Sequence, residues 1–252
     1  MRRGEEITEI KKEAYLDAAE KKPSQRQLLW QKMEFYAFVH FGLNTFTDKE
    51  WGDGNDDPKL FNPESCNPFE WVKIFKSAGM KGVILTCKHH DGFCLWQSEY
   101  TDYSVKSSPY KDGKGDIVKE VSDACRHHGL KFGIYLSPWD RHEKTYGTYE
   151  YNDFYKNQLR ELLSNYGEIF AVWIDGANGE KQNGKKQTYD YKGIFELIRE
   201  LQPNAVIANC GPDIRWIGNE QGKTRKQEWS VVPTLYLNSN FISDNSQKKV
   251  GK

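Results

Sequence analysis

No uninterrupted apolar run of about eighteen residues occurs in the chain, which excludes a membrane-spanning helix. The stretch from Met1 to Lys22 is charged and has no apolar core, so it does not read as a secretory signal. As written, the sequence points to the cytoplasm, or to the periplasm or exterior if a signal has been removed. An excess of either charge is also missing. Lys+Arg and Asp+Glu both total 36, so no basic field argues for nucleic acid or for an anionic membrane as partner. The five cysteines are an odd number, and none stands in a CxxC or His/Cys pattern of zinc spacing. Cys87, Cys125 and Cys210 sit in apolar stretches and read as reduced, buried thiols. No GxGxxG follows a strand-like run, and there is no P-loop and no G-x-S-x-G elbow. Dinucleotide binding, nucleotide phosphate binding and serine esterase chemistry lose their usual support. No cofactor is expected, and nothing sets an oligomeric state. Internal repeats and low-complexity linkers are absent as well.

What is present is a chain rich in rings: 8 Trp, 14 Tyr and 13 Phe, or 14% of residues. Aromatic faces stack on sugar C–H groups, and they also serve simply as bulky core. Five short apolar runs, rich in β-branched or aromatic residues, read as strands buried on both faces. They are Phe35 to Val39, Gly82 to Cys87, Phe132 to Leu136, Ile169 to Ile174 and Ala205 to Ala208. Between them lie amphipathic helical stripes. These are Phe69, Val72, Phe75 and Ala78; Ile117, Val118, Val121, Ala124 and Cys125; Phe154, Leu159, Leu162, Leu163 and Tyr166; and Ile194, Phe195, Ile198 and Leu201, stopped by Pro203. Gly79, Gly129 and Gly167 punctuate helix ends. The β–α alternation predicts an α/β fold, with a doubly wound sheet and a (β/α)8 barrel both open.

Polar residues collect at the C-terminal end of every predicted strand: His40; Lys88-His89-His90-Asp91-Gly92; Ser137-Pro138-Trp139-Asp140; Asp175-Gly176; and Asn209-Cys210-Gly211-Pro212-Asp213. In a parallel barrel these ends share one rim, whereas a doubly wound sheet uses only its switch-point crevice. Polar endings on all five favour the barrel. Asp175 follows a buried run and precedes a polar stretch, so it reads as functional rather than as a helix cap. His89 and His90, on an extended segment, point to opposite sides. With His40 and Asp91 they also suggest a metal site, although adjacent ligands chelate one ion poorly. Hydrogen bonding to a polyol is the more economical reading. Glu220 lies in the irregular segment from Gly211 and offers a second carboxylate of the kind glycoside cleavage uses.

Jointly and in order, several stretches between about Gln27 and Val231 resemble glycoside hydrolase family 29, the α-L-fucosidases. They are Phe38 to Thr47, Glu50-Trp51-Gly52, Lys88 to Phe93, Gly133 to Asp140, Trp173 to Gly176 and Gly211 to Glu220. The resemblance implies a (β/α)8-like TIM barrel and a retaining mechanism, with Asp175 as nucleophile and Glu220 as acid/base. The segment ending at Glu220 is similar to the branch acting on α-1,3 and α-1,4 linkages. His40, Glu50, Trp51, His89, His90, Tyr135 and Trp173 match fucose-binding positions, and Trp139, Asp140 and Arg215 are candidates for holding the aglycone. The implied partner is a fucosylated oligosaccharide. A catalytically silent, fucose-binding barrel is the alternative. Residues 1–22 are expected to form a charged lead-in, 23–237 the barrel domain and 238–252 a polar tail. A sixth strand is expected near Trp229 to Leu237, with the barrel truncated at its C-terminus.

Overall fold

In the computed structural model, the described residues are 16, 19–179, 185–209, 212–216 and 226. Local sequence sets where each element begins and ends. Helix α1 (Gln25–Gln31) is capped by Ser24, which accepts from the Gln27 amide while the Gln27 side chain accepts from the Ser24 amide. Strand β1 (Ala37–Val39) leads into a short helix α2 (Leu43–Thr47). Helix α3 (Pro68–Ser77) starts with proline in its first turn and Asn67 as cap. Strand β2 (Gly82–Lys88) is buried along its whole length, as a continuous Val/Ile/Leu/Thr run requires. Helix α4 (Ile117–His128) is capped by Asp116, which accepts from the Lys119 amide at 2.8 Å. Its last turn carries Arg126, His127 and His128, where the dipole favours basic groups.

Strand β3 (Lys131–Leu136), helix α5 (Glu150–Asn165), strand β4 (Ile169–Ile174), helix α6 (Tyr191–Leu201) and strand β5 (Val206–Asn209) complete the alternation. Helix α5 begins a turn before the stripe expected from Phe154, because Tyr151 and Asn152 are buried too. A two-residue strand β6 (Ile214–Arg215) lies within the segment read as irregular. Two residues carry no periodicity, so the sequence does not announce it. The sixth strand expected near Trp229 to Leu237, and the 238–252 tail, lie outside the described residues.

All five strand pairings are parallel, and the order is β1-β2-β3-β4-β5-β6. This strictly sequential order separates the two open topologies. Right-handed crossovers in an unreversed order lay every helix on one face of the sheet, whereas a doubly wound sheet needs a reversal. The winding is that of a (β/α) barrel, to which the described residues contribute six strands.

Two apolar layers follow from the strand alternation. Val83, Leu85, Ile134, Leu136, Val172, Ile174 and Ile207 face the helices, where they meet Val72, Val118, Leu159, Leu162, Ile194 and Ile198. Each such side chain, fully withdrawn from water, contributes about 1.5–3 kcal/mol. Ile84, Tyr135, Phe170, Ala171 and Val206 form the opposite layer with Phe38, Trp173 and, from α1, Trp30 and Met33. Gly133 sits on this inner face because a Cβ there would lie 2.9 Å from the Phe170 ring and 3.1 Å from the Ala171 carbonyl. Asp213, after β5, accepts from Arg26 of α1 and Arg199 of α6 and from the Ile207 amide, tying both helices to the sheet.

Candidate active site

Alternation along β4 puts Asp175 on the inner face, two residues beyond Trp173. Its Oδ1 accepts from the Ala177 amide at 2.7 Å, and its Oδ2 accepts from the Tyr135 hydroxyl at 3.0 Å. The helix that follows is capped by Asp190, not by Asp175. Asp175 is thus a half-buried carboxylate with both oxygens oriented and no capping duty. Burial and the adjacent Asp175 charge drive the Tyr135 pKa well above its ordinary value, so the hydroxyl keeps its proton and donates.

The histidines gather beside this pair. His40, after β1, stacks on Phe38 with ring centroids 5.1 Å apart and meets His89 edge-on at 5.4 Å. His89 lies parallel to Tyr135 at 5.8 Å. The expectation that His89 and His90 point to opposite sides is corrected here. Their ring centroids are 4.2 Å apart, because the segment turns immediately after β2. The Gly92 amide donates back to the His89 carbonyl at 3.1 Å, so the period-two rule of a strand no longer applies. Gly92 has φ +88°, and a Cβ there would lie 2.5 Å from Asp140 Oδ1, so only glycine closes this turn.

Burial first, and then repulsion from the positive charge that neighbouring groups carry when protonated, lowers both imidazole pKa values to about 3. For His89 those neighbours are His90 and His40; for His90 they are chiefly His40 and Arg141. His40 is also lowered, chiefly by burial. His89 and His90 are therefore uncharged at neutral pH.

Rings wall the other side. His90 packs on Trp139 at 4.9 Å and on Trp51 at 5.9 Å, and the two tryptophans meet at 6.0 Å. Trp51 remains 43% exposed, so it offers a face to a ligand. Trp173 reaches His40 through Phe38, whose ring centroid is 5.2 Å away. Glu50 lines a cavity of about 300 Å³ together with His40, His89 and Asp91. The Asp91 carboxyl is pushed up to about 7 by burial, and its Oδ2 has no protein partner.

Asp140 and Arg215 do not line that cavity. Asp140 is buried and committed: it accepts from Lys88 Nζ at 2.7 Å, the His142 amide at 3.0 Å and the Glu143 amide at 2.8 Å. It holds a loop and does not face the cavity. Arg215, half-buried, ends β6 opposite Asn209. Glu220 lies outside the described residues. Sequence reading counts Lys88 and Ser137 among the polar strand ends but gives them no role; both are buried behind the rim. Lys88 is fully buried, bonded also to Gln158 at 2.9 Å and set among the rings of Tyr151, Phe154 and Tyr155. The available signal was the presence of a lysine in an otherwise apolar strand end. Among the described residues, no group of three or more His, Cys, Asp or Glu side chains is arranged to hold a metal.

An oriented carboxylate at a sheet's C-terminal rim, beside neutral imidazoles and an indole wall, suits a polyhydroxylated ring with an apolar edge. Residues 20–245 match the alpha-L-fucosidase family profile.

The chain belongs to the alpha-L-fucosidase family.

It is 54% identical over 211 residues to Alpha-L-fucosidase 1 of Arabidopsis thaliana, covering 83% of this chain and 41% of that protein. A solved glycoside hydrolase 29 family member from an unknown rumen bacterium shares 52% identity at a TM-score of 0.76, over 82% of this chain and 40% of that one. A Ruminococcus gnavus family 29 fucosidase solved in complex with fucose shares 40% identity at a TM-score of 0.74, over 82% of this chain and 48% of that one. The chain therefore spans less than half the length of these relatives. No helix among the described residues is long and apolar enough to cross a membrane.

Proposed function

We propose that this protein is a retaining exo-glycosidase that releases terminal α-L-fucose from fucosylated oligosaccharides, with a preference for α-1,3 and α-1,4 linkages. The observation that carries the reading is the Asp175 carboxylate, held by Tyr135 and the Ala177 amide and flanked by uncharged imidazoles. Asp175 attacks the anomeric carbon while Glu220 protonates the departing oxygen, and a fucosyl ester forms. Glu220, now ionised, takes a proton from water, which hydrolyses the ester from the opposite side. Two inversions leave the anomeric configuration unchanged. The resemblance of the segment around Glu220 supports both its role and the linkage preference.

His40, His89, His90 and Glu50 hold ring hydroxyls. Neutral imidazoles do so without withdrawing the negative charge that makes Asp175 a nucleophile. Trp51 or Trp173 packs on the C6 methyl, an apolar edge that galactose replaces with a hydroxymethyl group. Trp139 and Arg215 lie toward the aglycone, and Asp140 supports them through the loop it holds.

Proton NMR of the first product from an aryl α-L-fucoside tests the proposal. Initial release of the α-anomer is expected. Asp175→Ala is expected to abolish turnover, and azide is expected to restore activity to Glu220→Ala on an activated substrate. A Lewis-type trisaccharide compared with the aryl fucoside reads the linkage preference. Initial release of the β-anomer would overturn the retaining assignment. Calorimetric fucose binding without turnover on any fucoside would establish the silent, fucose-binding alternative.

A further inference from the structure

Ser137 follows β3 and is fully buried. Its Oγ lies 2.6 Å from the Trp139 carbonyl oxygen and 2.7 Å from His90 Nδ1. A carbonyl oxygen can only accept, so the single hydroxyl hydrogen of Ser137 goes to Trp139. Ser137 can then only accept from His90, and the hydrogen between them must sit on Nδ1. A neutral imidazole carries one such hydrogen, so its other nitrogen, Nε2, is bare.

Main-chain hydrogen bonds hold the Ser137 and His90 backbones in register. Its amide donates to the Lys88 carbonyl at 3.0 Å, and the Arg141 amide donates to the His90 carbonyl at 2.9 Å. The Tyr151 hydroxyl donates to the Pro138 carbonyl at 2.8 Å. The buried Lys88–Asp140 pair fixes the far end of the same loop. The His90 ring packs against both Trp139 and Trp51. Burial keeps it uncharged, so it has a tautomer to select.

We propose that Ser137 is a positioning residue that locks His90 as the Nδ1–H tautomer, so that His90 meets the substrate as a hydrogen-bond acceptor and requires a donating hydroxyl there. The requirement deepens the fucosidase reading and rests on it for the identity of the ligand. A sugar hydroxyl both donates and accepts, so it satisfies bare Nε2. An ether oxygen or a fluorine cannot donate and leaves Nε2 facing a second acceptor.

Long-range ¹H–¹⁵N correlation spectra of ¹⁵N-histidine-labelled protein test the tautomer directly. The chain has six histidines, and His90→Gln assigns the signal. At pH 7 the wild type is expected to show a protonated Nδ1 and a bare Nε2 at His90. Ser137→Ala is expected to shift that population toward Nε2–H. On fucosides with one ring hydroxyl at a time replaced by fluorine, one position is expected to lower wild-type kcat/KM about 10–100-fold, and Ser137→Ala to lose most of that discrimination. An Nε2–H tautomer or an imidazolium in the wild type would overturn the proposal. So would a Ser137→Ala spectrum identical to the wild type, or undiminished discrimination in that variant. The spectra need no substrate, so absence of turnover would count against the fucosidase reading alone.

Discussion

At the scale of single residues, the site is a set of groups that hold one another in place. Tyr135 is both a core side chain and the donor to Asp175 Oδ2. Tyr135→Phe removes that donor while filling nearly the same volume. It is expected to lower kcat on an aryl fucoside about 10–100-fold, with a thermal unfolding midpoint close to wild type. Lys88 and Asp140 form an ion pair in which both side chains are withdrawn from water. Lys88→Met leaves the Asp140 charge buried and uncompensated, with an expected loss of about 3–5 kcal/mol in denaturant unfolding. Adding Asp140→Asn is expected to restore a large part of that loss, because the uncompensated charge goes with it. Residue types at strand ends are legible in the sequence, since polar groups after buried runs have few other uses. Pairings such as Lys88 with Asp140, 52 residues apart, are not, because contact across the sheet leaves no mark on local spacing.

At the scale of elements, strand β4 runs over the same six residues that its apolar run predicts, and helices α3 and α4 start within a residue of their predicted stripes. Caps explain the precision. Asn67, Asp116 and Asp190 each accept from an amide of the first turn, and such signals lie within four residues of the end they set. Asp116 also accepts from the Tyr166 hydroxyl at 2.9 Å, linking the start of α4 to the end of α5. Asp116→Ala is expected to destabilise the fold by about 1–2 kcal/mol in denaturant unfolding. The least legible elements are those made by pairing alone. Strand β6 has two residues, and it is a strand only because β5 lies beside it. The turn at Gly92 was also hidden: the same letters read as extended until the Gly92 amide closes on His89.

At the scale of the whole molecule, burial of three consecutive titratable groups predicts how stability follows pH. His89 and His90 fall from an ordinary 6.5 to about 3 in the fold. Between those values the unfolded chain binds the extra protons, so their contribution is complete above pH 6.5 and is lost as pH falls toward 3. Asp91 rises from 3.8 to about 7. The fold then binds its proton more tightly, and its contribution is complete below pH 3.8 and is lost as pH rises through 7. The two effects oppose each other, with two imidazoles against one carboxyl, so stability is expected to fall from pH 7 to pH 4. Asp91→Asn removes the opposing effect. Its loss over that interval, measured by denaturant unfolding at each pH, is expected to exceed that of the wild type.

The amino-acid sequence by itself determined the α/β class, the alternation of buried strands with amphipathic helices, and the gathering of polar groups at strand ends. Those features come from hydrophobic period and from capping, which act over a few neighbouring residues. The tertiary structure decided the rest. It selected barrel winding over a doubly wound sheet, because strand order is a property of pairing. It turned His89 and His90 to the same side and committed Asp140 to Lys88. It also aimed the Tyr135 hydroxyl at Asp175 and set the Ser137 hydroxyl against His90 Nδ1. Each of these depends on which distant groups meet in a dry interior, where an unpaired polar atom is costly, and local sequence does not encode that meeting.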